Sequence, residues 1–126
     1  MKRLLLVDDE DAIRTIACIS LERIGSWTIL AVASGQEALD AARNDGPFDA
    51  ILMDVMMPGL DGPDTLARMR EEGVLAQQQR VPVVFMTAKV GAAERERLLS
   101  LGASGVIAKP FDPMALPEEL GRMLDA

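Results

Sequence analysis

The side chains of this sequence best suited to chemistry stand where short apolar runs end. Asp8 and Asp9 follow Leu4–Val7, Asp54 follows Ile51-Leu52-Met53, Thr87 follows Val83–Met86 and Lys109 follows Gly105–Ala108, while the second run, Thr28–Ala33, ends in Ser34. If the runs are parallel strands, these ends share one edge, the edge at which open α/β sheets bind ligands. Gathering three carboxylates there is unfavourable, because two unit charges about 4 Å apart repel by roughly 4 kcal/mol at an effective dielectric near 20. Either a carboxylate takes a proton or a cation sits among the oxygens. The chain has no histidine, so the donors are all oxygen, the set preferred by Mg²⁺ and secondarily by Mn²⁺. Lys109 adds a further positive charge. A magnesium ion that keeps water ligands usually holds a phosphate too, and a lysine with a hydroxyl donor, Thr87, suits the oxygens that the metal leaves free. No glycine-rich loop follows the first run, so a nucleotide would lack its cradle. The phosphoryl group is therefore expected to come from a partner and to be transferred to the protein.

Positioning these groups is the task of alternating elements. A helical pattern over about 10–25 follows the first run, and a helix opened by Ser34 with Glu37 three residues on, a capping box, follows the second. Further helices are expected over about 62–72 and 92–101 and near the C-terminus. Five βα units imply a parallel sheet with helices on both faces, and runs that are apolar throughout suit strands buried on both sides. The last helix has two candidate starts: Asp112-Pro113 makes a good N-cap and first-turn pair, but Pro117 interrupts the next turn and offers a later one. Residues 73–82, GVLAQQQRVP, read as an irregular polar loop. Met53, Met57, Met69, Met86 and Met123 read as core filler, and Glu94-Arg95-Glu96-Arg97 as a solvated helix face.

Composition narrows the function classes. At 126 residues and 49% hydrophobic content the chain suits one core, so a single domain over 1–126 is expected. A formal charge of −7, with no basic cluster beyond Lys2-Arg3, argues against direct nucleic-acid binding. The lone cysteine, Cys18, rules out an internal disulfide and reads as a small buried hydrophobe, in keeping with a reducing, cytoplasmic setting. The opening MKRLLLVDDE has too short an apolar run for a secretory signal, and no stretch suits membrane insertion. Without histidine, Ser-His and Cys-His catalysis and phosphohistidine formation on this chain are excluded.

Four segments, LLLVDDE, ILMDVMMPGLDG, VVFMTAK and GVIAKPF, resemble in order and spacing the receiver domain of two-component response regulators, the CheY-like family, over essentially the whole chain. The resemblance implies a flavodoxin-like (βα)5 open parallel sheet of order 2-1-3-4-5, whose crevice lies between the first and third strands. It implies that Asp54 is the phosphoacceptor, that Asp9 and Asp54 bind Mg²⁺ directly and Asp8 through water, and that the Met56 backbone carbonyl completes the protein ligands. Lys109 would pair with a phosphoryl oxygen, and Thr87 would turn its hydroxyl to the phosphate and move the loop that begins at Ala88. Lys109-Pro110 matches a cis peptide of the family. Met56 and Lys89 stand where the family tunes phosphate lifetime. The implied donor is a phosphohistidine on a sensor histidine kinase or a histidine phosphotransfer protein. The chain would then be a signalling phosphoacceptor and not an enzyme, assisting its own phosphorylation and dephosphorylation and acting on a downstream protein target.

Two features depart from the family pattern. Val106 stands where many members carry a Tyr or Phe that swings inward; a stiff β-branched valine cannot perform that swing, so backbone movement is expected to carry the signal. The loop over 73–82 is also longer than the pattern. Since the last helix lies close to the C-terminus, a stand-alone chemotaxis-type or phosphorelay regulator is expected, with the N-terminal receiver fragment of a longer DNA-binding regulator as the alternative. A pseudo-receiver conflicts with the full set of acids, Thr87 and Lys109. An aspartyl-phosphate hydrolase of the haloacid dehalogenase type would carry a second acid two residues after its nucleophile, where this chain has Met56.

Overall fold

The computed structural model describes residues 2–74, 81–89 and 91–125. Strands β1 (Arg3–Val7), β2 (Thr28–Val32), β3 (Ala50–Asp54), β4 (Val83–Thr87) and β5 (Gly105–Ala108) alternate with helices α1 (Asp11–Arg23), α2 (Gly35–Asn44), α3 (Gly62–Glu71), α4 (Ala92–Ser100) and α5 (Leu116–Asp125). The strands pair in parallel in the order β2-β1-β3-β4-β5, the flavodoxin-like arrangement expected.

Side chains alternate across a strand, so each strand feeds two cores. Leu5, Val7, Ile51, Met53, Phe85 and Val106 face α2, α3 and α4. Leu4, Leu6, Leu52, Val84, Met86 and Ile107 face α1 and α5. Every residue of β3 and β4 is buried, which is why these strands read as unbroken apolar runs. Each fully buried Leu, Ile or Met contributes about 1.5–3 kcal/mol relative to an exposed one. Met53, Met69 and Met86 are fully buried, Met57 nearly so, and Met123 packs at the edge of the α1/α5 core, as expected of filler. Cys18 is a half-buried free thiol against the same core, and burial raises its pKa.

Helix ends follow local chemistry. Ser34 Oγ accepts the Glu37 N–H at 3.1 Å, while Glu37 Oε1 accepts the Ala33 N–H at 3.3 Å, so the reciprocal half of the capping box reaches one residue before the cap. Asp61 caps α3 by accepting the Asp64 N–H at 2.8 Å, with proline in the first turn. For α5 the later start is the one observed: the helix begins at Leu116 with Pro117 in its first turn, where a missing N–H costs nothing. Asp112 instead closes a turn, accepting the Met114 N–H at 2.9 Å.

Several boundaries differ from the sequence reading. β3 and β4 each run one residue further, because the ladder continues through Asp54↔Met86 and Thr87↔Ala108, making Asp54 and Thr87 the last strand residues. α1 ends at Arg23, two residues early, ahead of Gly25 and of Ser26 in the left-handed region at φ 59°. Most of the expected 73–82 loop, including the glutamine tract, lies outside the described residues.

The first residue of α3, Gly62, backs directly onto the end of β3. A Cβ there would lie 2.5 Å from the Asp54 carbonyl oxygen and 3.0 Å from the Phe85 ring. Gly62→Ala is expected to cost about 1–3 kcal/mol through overpacking. Gly121→Ala in α5, where an added Cβ meets open space, is expected to gain up to about 1 kcal/mol from helix propensity. Urea denaturation of the two variants checks the pair; equal effects would show that α3 can back away from β3 without loss.

Candidate functional site

The C-terminal strand edge is held past the strands proper. Asp8 N–H donates to Val32 O at 3.2 Å, Val55 N–H to Met86 O at 2.9 Å, and Lys109 N–H to Thr87 O at 2.9 Å. The register Val7↔Met53 sets Asp8 level with Asp54, and Thr87↔Ala108 places Lys109 one step beyond the β4–β5 pairing. By the alternation of side chains, Asp8, Asp54 and Lys109 continue the series Leu6, Leu52 and Ile107 on the α1/α5 side of the sheet. They meet there. Lys109 Nζ lies 3.0 Å from Asp8 Oδ2, 3.2 Å from Asp54 Oδ2 and 3.3 Å from Glu10 Oε1. Asp8 is fully buried and Asp54 is 4% exposed.

One ammonium cannot neutralise three carboxylates. Burial, reinforced by the charge of Asp8 and less so of Asp9, pushes the Asp54 carboxyl up to about 6 in spite of Lys109. For Lys109, burial opposes the charge, but Asp8 and Asp54 outweigh it and raise the pKa, so the lysine stays protonated. Asp8, Glu10 and Asp54 each offer a carboxylate oxygen within 4.8 Å of the others. An all-oxygen, under-neutralised donor set of this kind, two of its three members buried, fits a hard divalent cation.

The other residues singled out in the sequence fall around this centre. Asp9 is exposed and outside the three-carboxylate group, though near enough for its charge to act on Asp54. Thr87 is buried, but its parity puts it on the α2–α4 side of the sheet, and its Oγ1 accepts the Lys89 N–H at 3.0 Å. Ala88 and Lys89 form the exposed turn that follows. Val106 is packed beside Phe85 in the α2–α4 core. Met56 lies in the turn after β3 with its side chain exposed, and Lys109-Pro110 is cis. Glu10 is the member that the sequence reading missed. Its one signal was membership of the acidic run Asp8–Asp11, which also reads as helix-start chemistry. Glu10 is the N-cap of α1, and its side chain makes no capping hydrogen bond.

Comparison with known proteins adds to this geometry. The family model for the response regulator receiver domain matches residues 4–121. The chain is 36% identical over 112 residues to the alkaline phosphatase synthesis transcriptional regulatory protein PhoP of Bacillus subtilis (strain 168), covering 89% of this chain and 44% of that protein. It is 38% identical over 121 residues to the response regulator MprA of Mycolicibacterium vanbaalenii, covering 96% of this chain and 48% of that protein. The chain thus spans about half the length of the curated relatives it matches. Among solved structures, the chemotaxis response regulator CheY4 of Vibrio cholerae superposes with a TM-score of 0.86 at 29% identity, covering 98% of each chain.

The raised pKa of Asp54 has a stability consequence of definite sign. An acid that titrates at about 6 when folded and at 3.8 as a model group takes up protons on folding, so its contribution to stability is present at low pH and is lost as pH rises through the folded value. Asp54→Asn removes that penalty. In the presence of a chelator the variant is expected to be more stable than the parent by about 1–3 kcal/mol at pH 7, the gap closing towards pH 4. Urea midpoints across that range check it, and a gap that does not change with pH would assign the effect to something other than this carboxyl.

Proposed function

The chain belongs to the response regulator receiver family, and on that premise we propose that it is a signalling phosphoacceptor in which Asp54 takes a phosphoryl group from a phosphohistidine on a sensor histidine kinase or a histidine phosphotransfer protein. The observation that carries this reading is the buried Asp54 held 3.2 Å from Lys109 beside Asp8. That place is between β1 and β3, where the strand order reverses and open α/β sheets bind ligands.

An Asp54 carboxylate oxygen attacks phosphorus in line. The P–N bond to the donor imidazole breaks, its electron pair returns to the imidazole nitrogen, and an aspartyl phosphate is left on this chain. Lys109 Nζ, already poised between Asp8 and Asp54, donates to a phosphoryl oxygen and offsets the charge on it. Asp9, Asp54 and the Met56 carbonyl, with Asp8 through water, would hold Mg²⁺, or Mn²⁺ in its place. Bound there, such an ion would supply positive charge to offset that of the phosphoryl group.

Thr87 supplies the link to the surface. To donate to a phosphoryl oxygen its hydroxyl must rotate away from the Lys89 N–H that it accepts at rest, which releases the first turn of the loop after β4. Val106 is too small and stiff to relay this by a rotamer change, so the signal passes through the backbone at Ala88, Lys89 and beyond. A protein donor is in keeping with α1, where the exposed Ile16, Ile19 and Ile24 line a cavity of about 290 Å³ with Pro113 and Met114 on the same side of the sheet as Lys109. Among the described residues no helix is long and apolar enough to cross a membrane, and a cytoplasmic setting accords with this partner class. The relatives' greater length, and their description as regulators of transcription, favour a second reading in which this receiver is the N-terminal part of a longer DNA-binding regulator. The full open reading frame tests it.

Intact mass after incubation with acetyl phosphate is expected to show one added phosphoryl group that requires both Mg²⁺ and Asp54, and none in Asp54→Asn. Binding of Mg²⁺ and beryllofluoride with no labelling would point to a short-lived phosphate; neither binding nor labelling would identify a pseudo-receiver. For the switch, beryllofluoride with Mg²⁺ is expected to shift backbone amide signals across residues 88–108, in the parent and equally in Val106→Ala. Unchanged amides in that span would sink the backbone route.

A further inference from the structure

Glu10 has no part in the transfer chemistry proposed above, yet it reaches the same lysine. Its backbone is fixed at both ends: the N–H donates to Asp8 Oδ1 at 2.9 Å and the carbonyl accepts the Arg14 N–H at 3.0 Å. An N-cap side chain ordinarily satisfies a free N–H of the first helical turn. Here that carboxylate leaves the helix uncapped and approaches Lys109 Nζ at 3.3 Å instead. The other two carboxylates of the group, on Asp8 and Asp54, have side chains 0% and 5% exposed and cannot turn without unpacking; the Glu10 side chain is 61% exposed and can.

We propose that Glu10 is a positioning residue of this site. It is an adjustable third carboxylate that draws Lys109 towards β1 and adds negative charge to the field that holds a divalent cation. The proposal deepens the phosphoacceptor reading and rests on it. Removing the Glu10 charge both takes an anion from the neighbourhood of the cation and leaves Lys109 less neutralised. Both effects weaken cation binding.

Calorimetric titration of Mg²⁺ into the parent, Glu10→Gln and, as a control elsewhere on α1, Glu22→Gln tests it, with thermal unfolding in chelator confirming that each is folded. Glu10→Gln is expected to raise the Mg²⁺ Kd roughly 3- to 10-fold, and more at low ionic strength than at high, while Glu22→Gln leaves it within about twofold. A merely structural role for Glu10 would move the unfolding temperature and leave the Kd and its salt dependence alone; a Kd within about twofold of the parent overturns the proposal. Failure of the underlying reading shows separately. A parent chain that binds no Mg²⁺ overturns both, whereas one that binds Mg²⁺ but takes no phosphoryl group from acetyl phosphate overturns the phosphoacceptor reading alone, and the Glu10 comparison still decides its own case.

Discussion

The ammonium of Lys109, held between the buried carboxylates of Asp8 and Asp54, is the interaction on which the site depends. Removing Lys109 would leave buried carboxylate charge uncompensated in a poorly solvated place. The pairing is also incomplete by design of the sheet, since Glu10 makes a third carboxylate around one cation. The raised pKa of Asp54 comes first from its burial and then from the charge of Asp8. A carboxylate in such a field gains most from an additional cation, and the donor chemistry of the neighbourhood is that of a hard one.

The parallel ladder is what brings these charges together and keeps them apart from the rest of the polar apparatus. Side-chain parity sends Asp8, Asp54 and Lys109 to the α1/α5 side of the sheet, and Thr87 and Val106 to the α2–α4 side. In the proposed reading, chemistry and signalling therefore occupy opposite faces. The two faces meet around the end of β4, where Thr87 is both the last strand residue and the acceptor for the Lys89 N–H. With valine at 106, that position has no ring to swing, which in the proposed reading leaves the turn itself as the element that changes.

Much of this was legible in the sequence. Strand and helix existence followed from apolar runs and, at α2, from a capping residue, because those signals depend on near neighbours; Ser34 caps α2 through a bond to the residue three positions on. Boundaries were less legible. Asp54 and Thr87 belong to their strands only because Met86 and Ala108 pair with them across the sheet, and a polar residue at the end of an apolar run gives no local sign of that. The place of Glu10 in the charge cluster was hidden for a similar reason: four consecutive acids look alike in sequence, while the turn into α1 exposes Asp9 and directs Glu10 to Lys109.

By itself, then, the sequence determined five βα units and a set of strand-end groups, Asp8, Asp54, Thr87 and Lys109, with the strand order coming from family resemblance. These are local properties, set by periodicity and by position within a run. Only the tertiary structure decided which of those groups meet. Lys109 and Asp8 are 101 residues apart, and their contact rests on the β1–β3 and β4–β5 registers, which are settled by packing between strands distant in the chain and by which face each side chain then takes.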